Sequence, residues 1–172
     1  MRVLATIFAV VLTAPLLAQE PTPAPEIQRL GKLLLGSWSS NEKHEPGSIA
    51  PKGGRGKGSE SVKLGPGGMS LFSDYRAIDP AGKFIAHTIY WWDGKEKAYR
   101  NLECSNRSTY GCGMGLWRWD GNDLVLREEG FKMALADFTD TTYTFYMDAS
   151  TDGGPMARVM TIRFTKSGAK KR

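Results

Sequence analysis

From Ser37 to Thr165 the chain is a succession of short alternating or apolar runs, each closed by a cluster of turn residues. Turn signals recurring every ~8–12 residues are the mark of an all-β sandwich or barrel. The expected strands are Ser37–Lys43, Ser59–Leu64, Met69–Ile78, Phe84–Trp92, Ala98–Cys104, Cys112–Trp119, Leu124–Glu129, Phe131–Ala136, Thr141–Asp148 and Met156–Thr165. Between them stand Gly65-Pro66-Gly67-Gly68, Asp79-Pro80-Ala81-Gly82, Asp93-Gly94, Asp120-Gly121-Asn122 and Asp152-Gly153-Gly154-Pro155. Glu45–Gly58, rich in Gly and Pro, reads as a long loop. With no helix between strands, parallel βαβ units cannot be built. One helix is expected, over Glu26–Leu35, where Ile27, Leu30, Leu33 and Leu34 recur at helical spacing and Gly36 stops the run. The fold expected is an all-β, antiparallel up-and-down β-barrel of about ten strands behind one short N-terminal helix. Its closure removes the exposed edges of an open meander.

Ahead of the helix, Arg2, the apolar run Val3–Val11 and Leu16-Leu17-Ala18 before Gln19-Glu20 have the layout of a cleavable secretory signal peptide. The run is shorter than the ~20 residues a membrane span needs. The expected organisation is a signal peptide over 1–18, a Pro-rich spacer over 19–25, the barrel over 26–166 and a basic tail over 167–172. Export implies a periplasmic or secreted protein, with no transmembrane anchor after cleavage. In such a compartment paired thiols oxidise. Cys104 and Cys112 flank the polar stretch Ser105–Gly111 and are expected to form a disulfide across a hairpin, with free thiols or metal ligation as the alternatives.

The net charge of +5 is unevenly placed. Arg2, the tail residues Lys166, Lys170, Lys171 and Arg172, and Lys52, Arg55 and Lys57 of the Pro51–Gly58 loop are all basic, in segments without Asp or Glu. The remainder is net negative, so the high pI comes from the ends and one loop. A nucleic-acid partner is therefore not expected, since that needs basic residues arranged on folded structure.

Several motifs with chemical overtones fail on their context. Gly53-Gly54-Arg55-Gly56-Lys57-Gly58-Ser59 has Gly after its Lys and no helix to follow, so it is not a phosphate loop. Cys112, between two glycines, lacks an oriented base, the imidazoles being His44 and His87. Glu128 and Glu129 are strand neighbours and point to opposite faces. No metal pattern is present in the spacing of Cys and His.

Period-2 alternation nominates the inward series. Met69, Leu71, Ser73 and Tyr75 form one, and Tyr143, Phe145 and Met147 another. Met156, Arg158, Met160, Ile162 and Phe164 form a third, which places Arg158 among apolar residues. In Phe84–Trp92 both faces are apolar or aromatic and the assignment stays open. The residues expected to line an interior pocket are Tyr75, His87, Trp91, Tyr99, Trp117, Tyr143 and Arg158. An inward guanidinium at Arg158 needs an anionic partner, either a ligand or Glu103 or Glu128, unless it lies at the rim and reaches water.

Leu35-Gly36-Ser37-Trp38 after a short helix resembles the entry of lipocalin-like barrels. Ile89-Tyr90-Trp91-Trp92-Asp93-Gly94, Gly115-Leu116-Trp117-Arg118-Trp119-Asp120-Gly121 and Met160-Thr161-Ile162-Arg163-Phe164-Thr165 resemble DUF1579, a bacterial family of unknown function, over Leu33 to Thr165. The resemblance implies a calycin-type barrel and no established activity. Trp91-Trp92 stands where glycine and tyrosine are commoner in that family. Neither histidine lies in the late strands, where haem-binding nitrobindin-like barrels are expected to carry their ligand, and no cofactor is expected.

Three functions are compatible with these features: a barrel that holds a small apolar or amphipathic ligand in its interior, a structural or interaction module with a packed interior, and an enzyme using His87. The ligand-binding barrel leads. The sequence carries no signature of oligomeric state. Intact-mass analysis of the protein exported by its native host should find a chain that begins at Gln19; recovery of the chain from Met1 contradicts the leader assignment.

Overall fold

The computed structural model describes residues 21–47, 50–108, 111–150 and 153–168. The expected signal peptide and the end of the basic tail lie outside these residues. The elements are α1 (Pro25–Leu34), β1 (Gly36–His44), β2 (Gly54–Leu64), β3 (Ser70–Asp79), β4 (Gly82–Asp93), β5 (Ala98–Ser105), β6 (Cys112–Asp120), β7 (Asp123–Glu128), β8 (Phe131–Ala136), β9 (Thr142–Ala149) and β10 (Ala157–Lys166). Every strand pairs antiparallel with its sequence neighbours, and β1 pairs with β10 to close the barrel. The up-and-down ten-strand barrel behind a short helix is as expected. Among the described residues no helix is long and apolar enough to cross a membrane.

Closure sends alternate residues inward. Trp38, Ser40, Glu42 and His44 of β1 are all buried, as are Leu71, Ser73, Tyr75 and Ala77 of β3. The interior is filled with rings. Tyr143 stacks on Phe164 with centroids 4.4 Å apart and meets Trp38 edge-on at 4.8 Å. Tyr75 meets Phe164 at 5.6 Å. Such pairs add about 0.5–1.5 kcal/mol each to the effect of burial.

Helix α1 covers one end. Pro25 occupies its first turn, where the missing N–H is not needed. Ile27, Leu30 and Leu34 face the barrel core. Trp38 Nε1 donates to the Leu34 carbonyl at 2.7 Å, and Tyr99 Oη donates to the Glu26 carbonyl at 2.9 Å. Leu35-Gly36-Ser37-Trp38 is thus a hinge with a purpose. Gly36, at φ +127, turns the chain so that the indole two residues on satisfies the end of the helix it has just left.

Two expectations are corrected. The first concerns the long loop: Gly54–Gly58 is strand, and β2 runs from Gly54. Gly56 and Gly58 face inward opposite Glu42 and Ser40. A Cβ at position 56 would sit 2.6 Å from Glu42 Oε2, and one at position 58 would sit 2.8 Å from Ser40 Oγ. The glycines thus make room for interior polar side chains. Arg55 and Lys57 consequently stand on a folded outer wall, with Arg55 directly across from Lys43. The basic charge there belongs to the sheet and not to a loop.

The second concerns Arg158. A β-bulge between Arg158 and Met160 breaks the alternation of β10. Met160 pairs with inward Met147, while Arg158 pairs with outward Asp148. Arg158 therefore leaves the apolar series, bonds the Asp148 carboxylate and lies 3.9 Å over the Tyr146 ring.

At the end away from α1, Cys104 and Cys112 face each other across β5 and β6 and form the expected disulfide. The loop they close is docked on the neighbouring hairpin. Asn106 Oδ1 accepts from the Ile85 N–H at 2.8 Å, and its Nδ2 donates to the Lys83 carbonyl at 3.1 Å. Arg107 donates through both Nη atoms to Asp79 and also reaches the Gly82 carbonyl. Cys104→Ser/Cys112→Ser should lower the unfolding free energy by ~2.5 kcal/mol in chemical denaturation; an unchanged midpoint would show that loop docking alone holds the hairpin.

Candidate functional site

Four of the residues expected to line an interior pocket do point inward: Tyr75, Tyr99, Trp117 and Tyr143 are all buried. They fill the barrel. Three do not point inward. In β4 the inward series is Ala86, Thr88, Tyr90 and Trp92, so His87 and Trp91 face out. His87 is exposed and bonds Asp74 on the neighbouring strand. It does not face the interior, as an enzyme working from inside the barrel would need. Arg158 is displaced by the bulge.

What alternation alone did not foreshadow is how acidic the interior is. Glu60 of β2 accepts hydrogen bonds from Ser73 Oγ at 2.5 Å and from Tyr143 Oη. Burial raises its carboxyl pKa, and those two bonds offset part of the rise. Tyr143 is pushed up by its own burial and by the nearby Glu60 charge. Nearby, Glu42 accepts from Tyr75 Oη at one oxygen and meets His44 Nε2 at 2.7 Å at the other. Tyr75 Oη is also 2.9 Å from Ser40 Oγ. Asp79, at the end of β3, completes a group with Glu42 and His44 whose donor atoms lie within 4.8 Å of one another. Burial pushes the Asp79 carboxyl up, and the bonds from Arg107 and the Ala81 N–H outweigh this and hold it below its ordinary value.

The sequence contains a signal for this network. Ser40, Glu42 and His44 share the face of Trp38, a period-2 polar series on a strand whose first member is a core tryptophan.

A cleft of about 230 Å³ opens on the inner side of β5–β8 at the far end. Its walls are Asn101, Glu103 and Ser105 of β5, Gly113 and Gly115 of β6, Leu126 and Glu128 of β7, and Phe131 and Met133 of β8. Gly113 opens it, whereas the Cβ position of Gly115 is already taken by Leu126 and Asn101. The position of a Cβ on Gly113 meets no atom within 4 Å, so a side chain there would stand in open space. Its floor is Asn101, whose Oδ1 accepts from Trp117 Nε1 at 3.0 Å. Glu103 is exposed toward the cleft, with its carboxyl partly desolvated by neighbouring protein. Burial raises its pKa, with the Thr88 hydroxyl offsetting part of the rise. Two carboxylates and no Lys, Arg or His line the cleft among the described residues.

The chain is similar in structure to Rv2717c from M. tuberculosis, with a TM-score of 0.56 and 12% sequence identity, covering 84% of this chain and 99% of the other. At that identity the likeness speaks for the barrel fold alone. No family model matches the chain, so the resemblance to DUF1579 gains no support, and no curated protein matches it.

Because its folded pKa is raised, Glu60 adds stability that is fully present below the ordinary glutamate value of 4.5 and is lost as pH rises through the folded value. Glu60→Gln keeps the shape of the protonated form. At pH 7.5 it should unfold about 1–3 kcal/mol later than the parent, with the gap closing as pH falls toward 4.5. A variant less stable than the parent at both pH values contradicts this assignment.

Proposed function

We propose that this chain is an exported barrel, periplasmic or secreted, that binds a small amphipathic molecule bearing a cationic group in the cleft between β5 and β8. The observation that carries this is the mixed lining: the carboxylates of Glu103 and Glu128 stand among the apolar Leu126, Phe131 and Met133, with no basic side chain among the described residues. Small-molecule sites are largely apolar, with a few polar groups that fix orientation. At about 230 Å³ the cleft falls below the usual ~300–1,000 Å³ and suits a short-chain amine better than a lipid. An ammonium group would supply the charged partner that Glu103 lacks among the described residues, through a charge-assisted hydrogen bond. The disulfide is compatible with an oxidising compartment.

A second function has its own support. The ring-filled centre around Trp38, Tyr75, Tyr143 and Phe164 is what a structural or interaction module would have. It also confines any ligand to the end of the barrel.

Butylammonium titrated into the full chain should shift the backbone amides of Gly113 and Gly115 in NMR spectra. Glu103→Gln should weaken binding at least ~10-fold. Binding should fade on acidification at a higher pH than an ordinary glutamate would dictate, because the Glu103 carboxyl must be ionised and its pKa is raised. Shifts spread over the outer wall, or binding unaffected by Glu103→Gln, would leave the packed-module function in its place.

A further inference from the structure

We infer that Glu42, His44 and Asp79 form a binding site for a divalent cation of borderline softness, of the Zn²⁺ class. The three residues come from two strands that flank β2. Glu42 and His44 are two apart on β1 and share its inward face. Asp79 closes β3. Gly56 lies between them, its absent Cβ position 2.6 Å from Glu42 Oε2 and 3.0 Å from Asp79 Cα. Any side chain at position 56 would occupy the space that lets the donor atoms lie within 4.8 Å of one another.

The independent sign of a ligand is on His44. Its side chain is 2% exposed, and Nδ1 is buried with no hydrogen-bond partner among the described residues. With the proton on Nε2, the ring donates to Glu42 Oε2 at 2.7 Å and leaves the Nδ1 lone pair bare. A carboxylate that fixes one imidazole nitrogen is the usual way a metal-binding histidine is oriented. Alternatively, Nε2 and Glu42 open slightly and ligate together. Either way the set mixes imidazole nitrogen with carboxylate oxygen, which suits Zn²⁺ over the all-oxygen preference of Ca²⁺ and Mg²⁺.

The carboxylates keep capacity for an ion. Asp79 accepts from both Nη atoms of Arg107 and from the Ala81 N–H, and Glu42 Oε1 accepts from Tyr75. Each oxygen offers about two acceptor positions, so Asp79 Oδ2 and Glu42 Oε2 each retain one. Two carboxylates face one guanidinium, and a dication meets the remaining negative charge. Ligand distances of about 2.0–2.2 Å would draw the donors to roughly 3.3 Å from one another, a closure of up to about 1.5 Å by side-chain rotation.

The chain has two histidines, which makes the test direct. The full chain, labelled with ¹⁵N-histidine and freed of metal with a chelator, is titrated with Zn²⁺ at pH 7.5. Calorimetry should give one equivalent, and the His44 ring nitrogens should shift while those of His87 stay in place. Asp79→Asn should weaken uptake ~10–100-fold, and His87→Ala should leave it unchanged. If Asp79→Asn does not fold, the histidine shifts in the parent chain decide alone. Absence of uptake, uptake that follows His87 and Asp74, or uptake indifferent to Asp79→Asn overturns the site.

Discussion

Everything in this molecule follows from the pairing of β1 with β10. That ladder runs from Trp38 opposite Lys166 to His44 opposite Met160, and it turns a meander into a closed wall. Once the wall is closed, alternation decides which residues face in, except where the β10 bulge resets it. In the ring-filled half, a polar residue on the inward series has no water to turn to, so it must find a partner or bear the desolvation penalty. Glu42, Glu60, Ser40, Ser73, Tyr75 and Tyr143 meet that demand by bonding one another across strands. The packed rings and the acid–tyrosine network are two answers to one constraint.

The two ends of the barrel are finished differently. At one, α1 lies over Trp38, Tyr99 and Trp119, with the Arg29 guanidinium 4.0 Å above the Trp119 ring. Barrel side chains satisfy helix carbonyls there, so cap and wall hold each other. At the other, the disulfide-closed hairpin is tied through Asn106 and Arg107 to the β3–β4 turn. Gly113 leaves the wall of β5–β8 without filling, while Leu126 and Asn101 pack into the space at Gly115, and the cleft opens beside them. Selective filling of one half of the barrel, and not a hollow centre, sets where a ligand can sit.

Much of this was legible in the sequence because strand alternation and turn chemistry are local. Phe131–Ala136 matches β8 at both ends, and Cys112–Trp119 differs from β6 by one residue. The misses were long-range. Nothing near Arg158 announces the bulge, which exists to keep Met160 opposite Met147. Gly54–Gly58 reads as loop because glycine clusters usually are, yet here they accommodate Glu42 and Ser40 on the facing strand. Of the site residues, Tyr75 and Tyr143 followed from period 2, whereas His87 and Trp91 sat on a strand apolar on both faces, where the pattern could not choose. The Glu42–His44–Asp79 group needed a third strand to bring Asp79 in.

The barrel is solid between Trp38, Tyr75, Tyr143 and Phe164 and accessible at the β5–β8 end. A crystal structure of the full chain under xenon pressure tests it most directly, because xenon enters dry apolar cavities. No xenon should appear among those four rings, and any interior site should be confined to the cleft beside Leu126 and Met133. Xenon bound between Tyr143 and Tyr75 would show a hollow centre and contradict it.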